Sequence, residues 1–410
     1  MSQSDVSPAS ATAANLNETW LQRDRDAILN TYGPRSVVFE RGAGPYLFDA
    51  DGNRYIDFLS GLAVTSLGHA NPDVAKAISA QANTLLHTSN LFCTEPQVRV
   101  AERLVSLLGP GKVFFSNSGA EANEAAIKFA RAWGRSHGGP ERFHIITADR
   151  GFHGRTMGAL AATGQPEKKE RFLPMLEGLR SLPLDRPADF LNAIGPTTAA
   201  VLLELIQAEA GVLPLDVDFV QAVAERCDAT ETLFMVDEVQ TGIGRTGRWF
   251  CAEHYGVRPN VVTLAKALGN GVPIGATWVD EDVAQVIRAG DHASTFGGQP
   301  LATAAAEAVL DVMARDRLPE RAAELGDAFR DELLGIEGVE GVRGAGLLLG
   351  VQLRDGTSAS DVVSACLARG LVVGPLSMSA IRMTPALNIP RAVVSDGLER
   401  FADGLSACLN

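Results

Sequence analysis

Apolar and polar positions change rhythm twice along this chain. Over residues 35–68 they alternate. SVVFERGAGPYLFDADGNRYIDFLSG has the two-residue period of strands, with Asp51-Gly52 where a hairpin turn belongs, so a small β-meander is predicted. Over 72–108 the period lengthens to that of helices, as in PDVAKAISAQANTLL and PQVRVAERLVSLL. From 113 to about 280, short apolar runs alternate with helical stretches: KVFFSNSG, FHIITADRG, AAVLLELI, TLFMVDEV and VVTLAK. Such runs are the mark of strands covered on both faces, and hence of a mostly parallel sheet. An alanine-rich helix, LATAAAEAVLDVMARD, follows Leu301. A second mixed region then holds GVEGVRGAGLLLGVQL, GLVVG and IRMTPAL, read as strands and Gly-rich turns.

Length turns this pattern into an architecture. A chain of 410 residues exceeds one ordinary core. The expected layout is a disordered tail (1–15), an N-terminal segment joining a small domain (16–70), a large α/β domain (71–315) and a C-terminal α+β domain (316–410). The first residues, MSQSDVSPASATAANLNE, are polar, with no apolar signal core. No uncharged apolar run reaches the ~18 residues of a membrane span. The formal charge of −13 argues against a nucleic-acid partner, which needs a basic face. Five cysteines without a C-x-x-C pair suit a reducing compartment, so a soluble, cytoplasmic protein is expected.

Chemistry concentrates at the ends of the apolar runs, where parallel sheets bind ligands. In FFSNSGAEANEAAIKFARAW a strand gives way to a helix near Gly119, with Ser118 or Asn117 as its cap. Small residues there leave N–H groups and a helix dipole open to an anion, so the turn is either a plain capped helix or a phosphate cradle. TLFMVDEVQTGIGRTG resembles a Walker B strand. The chain lacks the matching Walker A, because Gly111-Lys112 is followed by Val113. Gly242-x-Gly244-x-x-Gly247 matches a dinucleotide fingerprint in letters only. Arg248-Trp249-Phe250 follows in place of a clear helix, and no acidic residue ends a strand ~20 positions on, so it reads as a flexible glycine loop.

Asp237 and Lys266 each close an apolar run, 29 positions and about one strand–helix–strand repeat apart. Both then stand at the carboxyl edge of one sheet. A carboxylate there can keep a pyridine nitrogen protonated, and a desolvated lysine can attack a carbonyl. With the helix-end cradle, these features describe a pyridoxal phosphate site. Phe152 in GFHGRTMGAL can stack on a planar cofactor, and Arg155 can grip a carboxylate. Arg382, in the apolar stretch IRMTPAL, is expected to be buried and paired, and either arginine fits a structural ion pair equally well. The histidines, including His69, His87, His144, His153 and His254, show no metal spacing such as H-E-x-x-H and read as structural or surface residues. No metal is expected.

SNSGAEANEAA, FHGRTMGAL, VDEVQTGIGRTG, LAKALGNGVPIGA and GDHASTFGGQPLA together resemble the class III aminotransferases, of fold type I among pyridoxal phosphate enzymes. The resemblance runs from about residue 30 to the end. GLAVTSLGHANP and HTSNLFCTEPQVRVAERLV are most similar to the acetylornithine branch. By that resemblance Lys266 bonds to the cofactor and moves the proton during transamination, Asp237 pairs with the ring nitrogen, Gln240 lies near the ring hydroxyl, and Phe152 stacks on the ring. Gly119 and Ala120, next to Ser118, hold the phosphate. Thr295 reaches the phosphate of a neighbouring subunit, with Ser294 near the substrate, which implies a homodimer with shared sites. Arg155 binds a substrate carboxylate. Glu209 and Arg382 match a pair that opens to admit 2-oxoglutarate or glutamate and closes for an ω-amino donor.

The resemblance therefore implies transfer of an ω-amino group from an acylornithine-like donor to 2-oxoglutarate. Alternatives on the same fold are 4-aminobutyrate or ornithine transamination. From other classes come a semialdehyde aminomutase and a non-catalytic pyridoxal-binding regulator. Ornithine-type relatives carry tyrosine at Leu62. The chain also departs from the usual pattern at Leu205, Ala208, Asn270, Gln299 and Ala386, where relatives show proline, glycine, glycine, asparagine and proline.

Overall fold

The computed structural model describes residues 15–409. Most of the expected tail lies outside them. Asn15, its last residue, instead caps the unanticipated helix Leu16–Ala27, its side chain accepting the Glu18 N–H at 2.9 Å. The meander forms as read: Phe39–Ala43, Tyr46–Asp49 and Arg54–Asp57 pair antiparallel in order. The Asp49 carboxylate closes the Asp51-Gly52 turn by accepting the N–H groups of Asp51 and Asn53. On the outer edge, Leu371–Val372 joins Arg54–Asp57 in parallel, so the two ends of the chain share one sheet.

The central sheet has seven strands, in the order Gly111–Ser116, Gly275–Asp280, Val261–Leu264, Leu233–Asp237, Thr198–Leu203, His144–Ala148 and Leu179–Leu182. Every strand but Gly275–Asp280 points the same way. That strand and Leu179–Leu182 are absent from the sequence reading. Gly275–Asp280 returns beside Val261–Leu264 through a short turn, which reverses direction where a helical crossover would have kept it. Thr198–Leu203 and Val261–Leu264 are buried throughout. One face packs Ala125, Ala126 and Phe129 of helix Gly119–Gly138 on Ala200, Leu202 and Met235. The other packs Phe219, Val220 and Val223 of helix Val217–Ala229 on Val201, Leu203 and Val236.

Residues 72–108 form two helices, Pro72–Ala82 and Glu95–Leu108. The break falls where Asn83 caps the first and Pro96 sits in the first turn of the second. A C-terminal antiparallel sheet takes the order Val339–Ala345, Leu348–Leu353, Ala380–Met383, Gly374–Ser377. Among the described residues no helix is long and apolar enough to cross a membrane, and all five cysteines are unpaired.

The loop 239–250 corrects the expectation of a flexible segment. Nearly all of it is buried. Its glycines are there for close approach: a Cβ on Gly244 would stand 2.3 Å from the Met313 side chain, and one on Gly247 2.9 Å from Ala323. Arg245 is wholly buried and donates to the carbonyls of Leu347 and Pro385 and to Ser66 Oγ, tying three distant segments together.

Candidate active site

Asp237 and Lys266 meet as their strands require. Leu233–Asp237 and Val261–Leu264 are parallel neighbours, with Asp237 opposite Thr263. Lys266 begins the next turn at φ 44°, a left-handed setting unusual for a side-chain-bearing residue and typical of functional strain. Both line a cavity of about 380 Å³, together with Ser118, Gly119, Ala120, Phe152, Arg155 and Gln240.

Asp237 is buried and held from several sides. One oxygen accepts Asn123 Nδ2 at 2.8 Å and the His153 ring at 2.9 Å; the other accepts the Val239 N–H at 3.0 Å. Asn123 is fixed in turn by Thr263 Oγ1 at 2.8 Å and by the His153 carbonyl at 2.7 Å. A carboxylate only accepts, so Nδ1 of His153 carries the hydrogen. Neither Asn123 nor His153 was singled out as a site residue. Asn123 had a local signal, as an amide on the helix stripe that buries Ala122, Ala126 and Phe129. His153 is buried, and beyond the structural part expected of it, it lines the cavity.

The Lys266 amine makes no hydrogen bond among the described residues, and burial pulls it below the usual lysine range, with Arg382 adding to the effect against Glu209, Asp237 and Glu204. Less of it is therefore protonated, as a carbonyl nucleophile requires. Ser118 caps helix Gly119–Gly138, its Oγ accepting the Glu121 N–H at 3.2 Å. The N–H groups of Gly119 and Ala120 have no acceptor among the described residues and face the cavity at the positive end of this helix. Close packing shapes this corner: a Cβ on Gly154 would stand 2.7 Å from Ala120. An anion cradle, a carboxylate with accepting capacity left and a free amine on one cavity fit a phosphorylated pyridine aldehyde.

Arg382 and Glu209 form an ion pair, the guanidinium nearly fully buried and the carboxylate partly exposed. Burial alone would raise the Glu209 acid, but Arg382 wins and holds it below the usual range. Gln240 bridges loosely, donating to Glu209 at 3.4 Å and accepting from Arg382 at 3.3 Å. Arg382 Nε, also buried, has no partner. Arg155 lies at the rim, its guanidinium 5.7 Å from the Phe152 ring. Ser294 accepts from Asn117 Nδ2 at 3.3 Å. Thr295 lies outside this cavity and lines a smaller one with His87, Asn90, Gln97 and Gln299.

Asn270, where a glycine was expected, keeps the left-handed conformation at φ 45° and ψ 39°. Its side chain accepts the Leu67 N–H at 2.8 Å and donates to the Gly68 carbonyl at 3.2 Å. It thereby ties the segment before Gly271–Ile274, which lines the cavity, to the segment carrying Val64, which lines it too. In that segment Ser60, Gly61, Leu62 and Ala63 all have positive φ, so an added tether there is physically sensible. Leu205 and Ala208 are fully buried in an apolar cluster, and Ala386 is buried as well.

Similarity to known proteins identifies the family. The family model of class-III aminotransferases matches residues 28–405. The acetylornithine aminotransferase of Archaeoglobus fulgidus is 44% identical over 93% of this chain and 98% of its own length; that of Corynebacterium efficiens is 44% identical over 96% and 97%. Among solved structures, the ornithine aminotransferase of Toxoplasma gondii superposes with a TM-score of 0.91 at 33% identity, covering 95% of each chain. The acetylornithine aminotransferase of Elizabethkingia anophelis gives 0.85 at 32% identity, covering 95% of this chain and 99% of its own. The chain belongs to the class III aminotransferases, fold type I enzymes that depend on pyridoxal phosphate.

Proposed function

We propose that this enzyme moves the ω-amino group of an acylornithine-like donor, such as N-acetylornithine, to 2-oxoglutarate, giving a semialdehyde and glutamate. The observation that carries this reading is the closed Glu209–Arg382 pair beside Lys266. While closed, the pair neutralises itself, which suits an ω-amino donor, whose reacting carbon bears no carboxylate. When Glu209 swings aside, Arg382 can take the α-carboxylate of glutamate or 2-oxoglutarate in a bidentate grip. The curated relatives at 44% identity point to the same donor.

Bound pyridoxal phosphate supplies the aldehyde that carries the amino group and the ring that accepts electrons from the reacting carbon. The chain does the rest. Lys266 holds the cofactor and shuttles the proton. Asp237, kept in place by Asn123 and His153, keeps the ring nitrogen protonated. Ser118, Gly119 and Ala120 bind the phosphate, Phe152 covers the ring, Gln240 faces the ring hydroxyl, and Arg155 with Ser294 steers the substrate carboxylate.

Thr295 completes the phosphate site of a second copy. Exposed Phe92 and Phe296 lie beside it, and Leu85, Leu86 and Leu91 are exposed on the 85–92 segment; apolar exposure of this kind fits a homodimer with shared active sites. The sheet shared by both chain ends supports a small domain built from 16–70 and 316–410 around a large domain of 71–315. Unpaired cysteines suit a cytoplasmic setting, and an acetylornithine donor would place the enzyme in arginine biosynthesis. The test is a panel of amines with 2-oxoglutarate, following glutamate. Acetylornithine should lead. Preference for 4-aminobutyrate or ornithine would move the donor assignment, and an isomerised product without glutamate would replace the transferase with an aminomutase.

A further inference from the structure

A third carboxyl group stands at this sheet edge. Glu204 immediately follows strand Thr198–Leu203, the parallel neighbour of the strand that Asp237 ends. It lines the cavity at 7% exposure. Its Oε2 accepts the Phe152 N–H at 2.6 Å, and no cationic side chain pairs with it among the described residues. The nearby basic side chains are engaged or aimed elsewhere: Arg382 pairs with Glu209, the His153 ring bonds to Asp237, and Lys266 is the cofactor's lysine. Two anions, Asp237 and Glu209, face it instead. A buried carboxylate with one hydrogen bond and like-charged neighbours is better off neutral.

We propose that Glu204 is a positioning residue that works as a neutral carboxylic acid. One oxygen anchors the Phe152 backbone, and with it the ring over the cofactor. The other presents its O–H to an oxygen atom of the bound cofactor or substrate. A neutral Glu204 leaves Asp237 as the single unpaired anion for the cofactor's ring nitrogen. The direction of its acidity agrees: burial pushes the Glu204 acid well up and the Asp237 charge adds to it, against the weaker pull of the Phe152 N–H and Lys266. This inference rests on the pyridoxal phosphate reading of the site.

The test compares Glu204→Ala and Glu204→Gln in the holoenzyme. Loss of the anchor should lower kcat by about tenfold or more in the alanine variant, and glutamine, a neutral donor and acceptor of the same shape, should recover most of that loss. Infrared difference spectra of wild type minus Glu204→Gln at pH 8 should show a carboxylic-acid carbonyl band, in the holoenzyme and in cofactor-stripped protein alike. The pH at which the bound cofactor's absorbance changes should stay within about half a unit in the glutamine variant. Absence of the band, glutamine as damaging as alanine, or an absorbance transition moved by about one unit or more would each overturn the neutral acid. Absence of any cofactor absorbance in wild type would instead sink the cofactor reading, while the band in stripped protein would still decide the state of Glu204.

Discussion

The cavity wall at Asp237 and the Glu209–Arg382 pair, which meets the cavity through Gln240, are built differently. At the Asp237 end the contacts are short: Asn123, His153 and Val239 hold the carboxylate at 2.8–3.0 Å and Thr263 holds Asn123, although His153 Nε2 has no partner among the described residues. At the Arg382 end one ion pair stands alone, flanked by contacts of 3.3 and 3.4 Å to Gln240 and a guanidinium nitrogen with no partner. The contrast fits the chemistry proposed for each. The cofactor's ring nitrogen plays the same part in both half-reactions, which rewards a rigid site. Two unlike substrates must use one cavity in turn, which rewards a pair that can part.

Removing the charge at the rigid end should do the most damage. Asp237→Asn is expected to lower kcat on the order of 10³-fold for every donor, measured as glutamate formation. At the loose end, Glu209→Ala should act selectively. It leaves Arg382 open, weakening discrimination between acetylornithine and glutamate by about tenfold in the ratio of their kcat/KM values. Asn123→Ala strips a partner from both Asp237 and Thr263. It should cost about 1–3 kcal/mol of stability, read from denaturant midpoints.

Glu238 sits next to Asp237 in sequence but lies in neither end of the cavity, so its effect should appear in stability alone. Burial pushes its acid from 4.5 up to about 7. The folded form therefore holds the proton more tightly. The associated stability is complete below pH about 4.5 and is lost as pH climbs through about 7. Glu238→Gln should gain on the wild type by on the order of 2 kcal/mol between those limits. Asn270→Gly, which keeps the backbone but loses both links to Leu67 and Gly68, should cost about 1 kcal/mol and raise KM modestly.

The sequence disclosed the rigid end better than its supports. Asp237 and Lys266 are charges at the ends of apolar runs, and that local contrast is visible in one dimension. Glu204 carries the same contrast in AAVLLE and was open to the same reading. Asn123 and His153 reach Asp237 from 114 and 84 residues away, a pairing that only the folded sheet creates. The antiparallel strand Gly275–Asp280 depends on the length of a turn, and the packed loop 239–250 on neighbours contributed by Met313 and Ala323. In both, glycine looked like freedom where it serves contact. Asn270 became intelligible once its partners, some 200 residues away, were in view.

The claim that the loose end is a two-state substrate switch is tested most directly by single-turnover kinetics of Arg382→Ala. The two half-reactions are followed separately through the cofactor's absorbance. The account predicts that reaction with 2-oxoglutarate slows by about 100-fold or more, while reaction with acetylornithine slows by no more than about tenfold. Equal losses in both half-reactions, or an intact reaction with 2-oxoglutarate, would contradict it.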